Sequence, residues 1–238
     1  VTSHFILIAG AWHGSWCWKR VAPLLRALGH RVTTPELPGM GAENGDPRQV
    51  TLASWGRFVA DIADAAPDPV VLVGHSRAGV VISEAAELVP GKIRRLVYLS
   101  AYLLPAGRTM AAQARADTSS LVAPNMIPAD SGVTCTLRAN VVREAFYTRC
   151  TDADVEWATA QLRPEPIKPL VTSPRTTPEG FGRVPRAYIE CTADRAVSLE
   201  SQRKMQAVLP CDPVLTLEAD HSPFISCPAA LVELLGRL

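Results

Sequence analysis

The 238-residue sequence predicts an α/β fold: a doubly wound, mainly parallel sheet carrying one inserted cap. Three observations predict it. Short apolar runs alternate with stretches of helical periodicity up to about residue 101 and again from 183, the β-α-β rhythm of a parallel sheet. One run, Pro69 to Val73, is apolar throughout, as suits a strand covered on both faces. Between the two rhythmic parts the pattern lapses, with scattered prolines and shorter periodic stretches.

The elements follow in order. His4 to Ile8 reads as a buried strand. Trp18 to Leu28 reads as a helix, apolar at Val21, Leu24, Leu25 and Leu28 and closed by Gly29. Arg31 to Leu37 is a second strand ending in the Pro38-Gly39 turn. Thr51 caps a helix whose inward face is Leu52, Trp55, Val59 and Ile62. After the Pro69 to Val73 strand come a helix from Arg77 to Leu88 and a strand from Ile93 to Leu99. The clearest periodic stretch in 102–182 is Ala153 to Leu162. The rhythm resumes with a strand at Arg186 to Cys191, a helix at Leu199 to Leu209, a strand at Val214 to Leu217 and a helix at Pro228 to Leu238. Residues 1–101 and 183–238 are thus expected to form the core and 102–182 a cap. An insertion at the carboxyl end of a strand lies over the crevice where open α/β sheets bind ligands.

Bulk properties exclude several classes. The net charge is +1, with no basic excess to hold nucleic acid or an anionic membrane surface. No run of about twenty apolar residues is present, so no membrane span is expected. The apolar strand at Phe5 is preceded by no charged region or cleavage site, so no signal peptide is expected in the chain. The six cysteines form no C-x-x-C pair and are too dispersed for a zinc site. Reduced thiols in a cytosolic protein are the favoured reading, with a Cys135–Cys150 disulfide the alternative.

Gly74-His75-Ser76-Arg77-Ala78-Gly79 carries the chemistry. A serine between small residues, after a strand and opening a helix, is the setting of a nucleophile elbow; the small flanking residues let strand and helix approach. Ala78 replaces the usual last glycine. A serine hydroxyl needs a general base to take its proton. His4, His30 and His75 read as structural, whereas His221 follows the last strand, at the carboxyl edge that also holds Ser76. Asp194, after the Arg186 to Cys191 strand, is the expected carboxylate, giving the chain order Ser, Asp, His of the α/β-hydrolase arrangement. Asp220 is its rival, but adjacent side chains in an extended segment face opposite ways. Backbone N–H groups of Arg77, at a helix start, and of Ala11, in the loop after the first strand, are the expected oxyanion donors. Gly39-Met40-Gly41 lacks the third glycine of a dinucleotide loop. A serine at position 76 also argues against epoxide hydrolases and haloalkane dehalogenases, which need a carboxylate there.

These residues resemble the plant methylesterase and hydroxynitrile lyase group of α/β-hydrolases and its bacterial esterase relatives. Ala9-Gly10-Ala11-Trp12-His13-Gly14-Ser15-Trp16-Cys17-Trp18 is similar to that group's H-G-A-x-H-G-x-W-x-W signature. Further matches are Leu37-Pro38-Gly39, Phe146-Tyr147 with Cys150, Leu162-Arg163-Pro164 and Asp220-His221-Ser222-Pro223-Phe224. The resemblance implies cofactor-free, metal-free cleavage of a small or medium carboxylic ester through an acyl-serine, in a mostly apolar pocket under the cap. Lactonase or thioesterase activity, or a small-molecule receptor on the same fold, are the alternatives; a homodimer is left open. Lyase members carry a threonine where Gly10 stands and a lysine where Ser222 stands, so cyanohydrin cleavage is not expected. Ala9 replaces the usual histidine, which implies a different brace for the oxyanion loop. Gly10 and Trp12 are candidates for the pocket, and Met110, Leu121, Met126, Phe146, Tyr147 and Trp157 for the pocket or simply for the cap core. Arg77 is unusual in its slot: it either forms a salt bridge with a nearby carboxylate or offers its guanidinium to a substrate carboxylate or carbonyl.

Overall fold

The computed structural model describes residues 2–40 and 44–238, so Gly41 of the Gly39-Met40-Gly41 near-match lies outside the described residues. The core is a six-stranded, all-parallel sheet in the order β2-β1-β3-β4-β8-β9. Its first four strands are β1 (His4–Ile8), β2 (Arg31–Thr33), β3 (Val70–His75) and β4 (Ile93–Leu99). Beyond the insertion follow β8 (Arg186–Cys191) and β9 (Val214–Leu217). β3 is buried at every residue, so each of its valines and its leucine contributes roughly 1.5–3 kcal/mol by leaving water. The chain goes from β1 outward to β2 and returns past β1 to β3. The order therefore reverses between β1 and β3, and the crevice beyond their carboxyl ends is the ligand position for such sheets.

The expected helix from Trp18 divides into a 3₁₀ turn at Ser15–Lys19 and α1 at Val21–Ala27. Pro23 causes the division, because deep in a longer helix its ring would strike the carbonyl one turn back; in the first turn it is tolerated. The second strand pairs with β1 only at Arg31, Val32 and Thr33, shorter than expected. Glu36 is then occupied by the Ser15 amide, its carboxylate accepting that N–H at 2.8 Å. α2 (Leu52–Asp64) begins with a reciprocal cap: Thr51 Oγ1 accepts from the Ser54 amide, and Ser54 Oγ from the Thr51 amide. Leu52, Trp55, Val59, Ala60 and Ala63 are its buried face, with Ile62 only half-buried. α3 (Ala78–Leu88) is buried from Ala78 to Ala86, between the sheet and α2.

Between β4 and β8 the chain builds α4 (Met110–Ala116), β5 (Met126–Ala129), β6 (Thr134–Leu137), α5 (Val142–Phe146), α6 (Asp152–Gln161), β7 (Glu165–Pro166) and α7 (Ile167–Leu170). β5, β6 and β7 form a small antiparallel sheet that sequence periodicity did not reveal. α8 (Leu199–Val208), α9 (Pro223–Ser226) and α10 (Pro228–Gly236) complete the fold. Among the described residues no helix is long and apolar enough to cross a membrane. Cys135 and Cys150, like the other four cysteines, are free thiols.

Candidate active site

The turn after β3 places Ser76 at φ +52°, a left-handed conformation that costs a serine of order 1–3 kcal/mol. The packing imposes it. A Cβ at Gly74 would stand 2.8 Å from the Ala78 carbonyl oxygen, so strand and helix approach as closely as a glycine permits. Ala78 is fully buried, and its methyl group fits where the motif usually has glycine. The turn is held by its backbone: the Ser76 amide donates to Leu99 O, and Ser76 O accepts from Gly79 and Tyr102.

Asp194 and His221 reach this turn from the loops after β8 and β9. His221 Nδ1 donates to Asp194 Oδ2 at 2.6 Å, with both side chains almost wholly buried. A carboxylate only accepts, so in the neutral imidazole the bond selects the Nδ1–H tautomer, whose Nε2 is an acceptor. Asp194 Oδ1 accepts the amides of Ala196 and Val197, at 2.6 and 2.9 Å. The hydroxyl of Ser100, itself at φ +42° beyond β4, donates to Oδ2. Ser100 was not foreseen; the sequence shows only that the position lacks a carboxylate. Asp220 faces elsewhere, accepting from the Arg149 and Ser222 amides and from Ser226 Oγ.

Two buried histidines support this arrangement. His75 Nε2 donates to the backbone oxygen of His221 at 2.7 Å, tying the residue before Ser76 to the one carrying the imidazole. His13 Nδ1 donates to Ala11 O, and its Nε2 accepts the Tyr147 hydroxyl, both at 2.8 Å. Burial pushes His13 down to about 3 and His75 well below the usual value of 6.5. Both are neutral in the fold at neutral pH, whereas the unfolded chain protonates them below about pH 6.5. The unfolded state then binds more protons. Their contribution to stability is therefore constant above about pH 6.5 and shrinks as pH falls below it, each histidine adding a slope of up to about 1.4 kcal/mol per pH unit. Urea midpoints should decline from neutrality to about pH 5, and the decline should be shallower in His13→Gln; an unchanged midpoint would contradict the assignment.

The Ala9–Gly14 loop passes beside Ser76. A Cβ at Gly10 would lie 2.6 Å from His75 Nδ1 and 2.9 Å from Ser76 Cβ, so the threonine of the lyases has no room here. Neither the Ala11 amide nor the Arg77 amide donates to another described group. An apolar cavity of about 30 Å³ meets Ser76 and His221. Trp12 walls one part of it; Met110, Ala114, Val122, Met126 and Phe146 come from the segment between β4 and β8, and Val197 from the Asp194 loop.

Five pocket candidates are not part of the lining. Tyr147 is outside the lining, with its hydroxyl donating to His13 Nε2. Trp157 packs edge-on against Trp16 with the Lys19 ammonium over its face. The Leu121 amide is bound to Arg195 O, away from the cavity wall. Gly10 touches Ser76 but has no side chain to offer. Arg77 is the main correction: its guanidinium is 1% exposed and turned from the cavity, so it cannot meet substrate. Its Nε lies 2.9 Å from Glu165 Oε1, and its plane covers the Trp55 ring at 4.3 Å. The salt-bridge alternative is what the structure holds. Burial raises Glu165 and lowers Arg77, with each partner's opposite charge the main opposing influence.

The all-parallel sheet, the strained serine and the buried Asp194–His221 pair define an α/β-hydrolase architecture. The alpha/beta hydrolase family profile matches residues 5–234, and the chain belongs to that family. The expected likeness to plant methylesterases is found. Methylesterase 2 of Arabidopsis thaliana is 30% identical over 97% of this chain and 93% of its own length. Putative methylesterase 11, chloroplastic, of the same plant is 30% identical over 98% of this chain, which spans 63% of that longer protein. The crystal structure of a pyrethroid hydrolase from Sphingobium faniae JZ-2 superposes with a TM-score of 0.87 at 30% identity, covering 100% of this chain and 97% of that one.

Proposed function

We propose that this protein is a serine carboxylic-ester hydrolase working through an acyl-serine intermediate, with Ser76 as nucleophile, His221 as general base and acid, and Asp194 as the group that orients the imidazole. The observation that carries the reading is the Asp194–His221 hydrogen bond, which leaves a free imidazole nitrogen in the same cavity as a strained serine. Ser76 Oγ attacks the ester carbonyl carbon while His221 Nε2 takes its proton. The Ala11 and Arg77 amides, with no other acceptor among the described residues, receive the developing oxyanion. As the C–O bond breaks, the imidazolium returns the proton to the departing alcohol. Water then attacks the acyl-serine by the same relay and releases the acid. Every group these steps need is a protein group or water. Relatives named methylesterase and pyrethroid hydrolase support ester cleavage.

The segment 102–182 serves as a cap, supplying much of the cavity wall; a cytosolic setting belongs to the same reading. A burst of p-nitrophenol from p-nitrophenyl acetate, abolished by a serine-directed phosphonate, is the expected result. A phosphonate-insensitive signal would sink the mechanism, and ligand binding without turnover would indicate a receptor.

The apolar lining selects an apolar acyl or alcohol group, and the cavity at about 30 Å³ is narrow. Met110 and Met126 are its adaptable walls. Met110→Ala should raise the kcat/KM ratio of hexanoate to acetate p-nitrophenyl esters about tenfold, since fitting a methylene is worth about 1–3 kcal/mol. An unchanged ratio across the ester series would remove Met110 from the pocket.

A further inference from the structure

Arg77 and Glu165 are opposite charges, 1% and 0% exposed, that the proposed reaction leaves unused. A buried ion pair is a poor device for stability, because apolar residues of similar volume often hold a fold as well. Its value here lies in the hydrogen bonds it makes to the loop beside Ser76. Arg77 Nη2 donates to Gly10 O at 3.0 Å, and Glu165 Oε2 accepts the Trp12 amide at 3.0 Å. Those groups stand on either side of Ala11.

A trans peptide points its carbonyl and its N–H in opposite directions. The carbonyl of Gly10 and the amide of Ala11 belong to one such plane, so the guanidinium that draws Gly10 O inward turns the Ala11 N–H outward. The next plane is fixed at both ends, with Ala11 O on His13 Nδ1 and the Trp12 N–H on Glu165. Trp12 sits at φ +61°, a conformation a bulky residue keeps only when its surroundings enforce it. The small sheet supplies that enforcement through Glu165 and through Cys135 O, which accepts from Trp12 Nε1, and the loop before β7 adds the Arg163 amide, which donates to Trp12 O.

We infer that the buried Arg77–Glu165 pair is a positioning device that aims the Ala11 N–H at the oxyanion and makes the oxyanion site depend on docking of the insertion's sheet. The inference rests on the hydrolase reading above, with Ala11 as a donor. One residue then serves both donors: Arg77 gives its own amide and, through its side chain, orients that of Ala11.

The test uses the full chain and p-nitrophenyl acetate. In the double variant Arg77→Met, Glu165→Met no charge is left unpaired, though the Gly10 carbonyl and the Trp12 amide each lose a partner, so the chain should fold with a thermal midpoint lowered by several degrees. Its kcat should fall on the order of 10²-fold, the scale for losing or misplacing an oxyanion donor, with KM within about threefold. Inhibition by a trifluoromethyl ketone, which forms a tetrahedral oxyanion on Ser76, should weaken by the same factor, while inhibition by the product acid stays unchanged. A double variant with wild-type kcat overturns the inference. Should the double variant not fold, Arg77→Lys decides: it keeps the charge but cannot reach Gly10 O and Glu165 together, so kcat should fall at least tenfold; wild-type kcat overturns the inference. Absence of Ser76-dependent turnover in the wild type would remove the hydrolase reading and the brace with it. Equal Ser76-dependent turnover in wild type and double variant removes the brace alone.

Discussion

Replacing Ser76 by alanine is expected to lower kcat by about 10⁴- to 10⁶-fold, the range for losing the nucleophile of a Ser-His-Asp relay. The change deletes only Oγ. The hydrogen bonds that hold the turn run from the Ser76 amide to Leu99 O and from the Gly79 and Tyr102 amides to Ser76 O, and none involves the hydroxyl. The thermal midpoint should accordingly shift by no more than a few degrees, and the affinity for a non-reactive substrate analogue should persist. His221→Ala should lose activity to a similar extent while keeping the backbone bond from His75. Steady-state rates beside a melting curve check this. Turnover within tenfold of the wild type in the folded serine variant would end the acyl-serine mechanism.

Asp194→Asn should lower kcat by about 10⁴-fold with the fold intact, through the wrong imidazole tautomer. Asp194 Oδ1 is committed to the amides of Ala196 and Val197, two donors that only an oxygen can satisfy. An asparagine must keep its oxygen there, so its NH₂ replaces Oδ2 and faces Ser100 and His221. A donor opposite Nδ1 moves the imidazole proton to Nε2, where it blocks acceptance of the Ser76 proton. The kinetic loss should coincide with disappearance of the downfield Nδ1 proton resonance. Near-normal kcat would mean that another carboxylate does this work. Asp220 cannot replace it, being held by Arg149, Ser222 and Ser226.

Much of the core was legible because its strands are apolar runs with clear ends: β1, β4, β8 and β9 fall where the pattern placed them. The convergence of Ser76, Asp194 and His221 at one edge of the sheet was legible because each follows a core strand, and topology brings the carboxyl ends of those strands together. The antiparallel sheet was hidden because its strands have two to four residues and include Pro128 and Pro166, too short for a period to register. Glu165 was hidden for the same reason, and it lies 88 positions from the arginine it meets. Arg77 could be singled out as unusual, yet one sequence carries no sign of which way a long side chain turns. Ala9 hinted at a different brace for the loop, and that hint had no partner until Glu165 was in place. Ser100 gave no signal, since a hydroxyl beyond a strand is common and only its contact with Asp194 distinguishes it.

The bond from His75 to the His221 backbone lies wholly within the core, whereas Trp12 is fastened to the insertion's sheet. In the proposed mechanism, the oxyanion loop leans on the segment between β4 and β8 more heavily than the nucleophile and its base do, although Tyr102 and Arg149 tie that segment to both. For a protein engineer this marks where a transplanted segment can go. Exchanging 102–182 for another segment would have to replace a carboxylate at the Trp12 amide and also the contacts that the Tyr102 amide makes to Ser76 O and the Arg149 amide to Asp220.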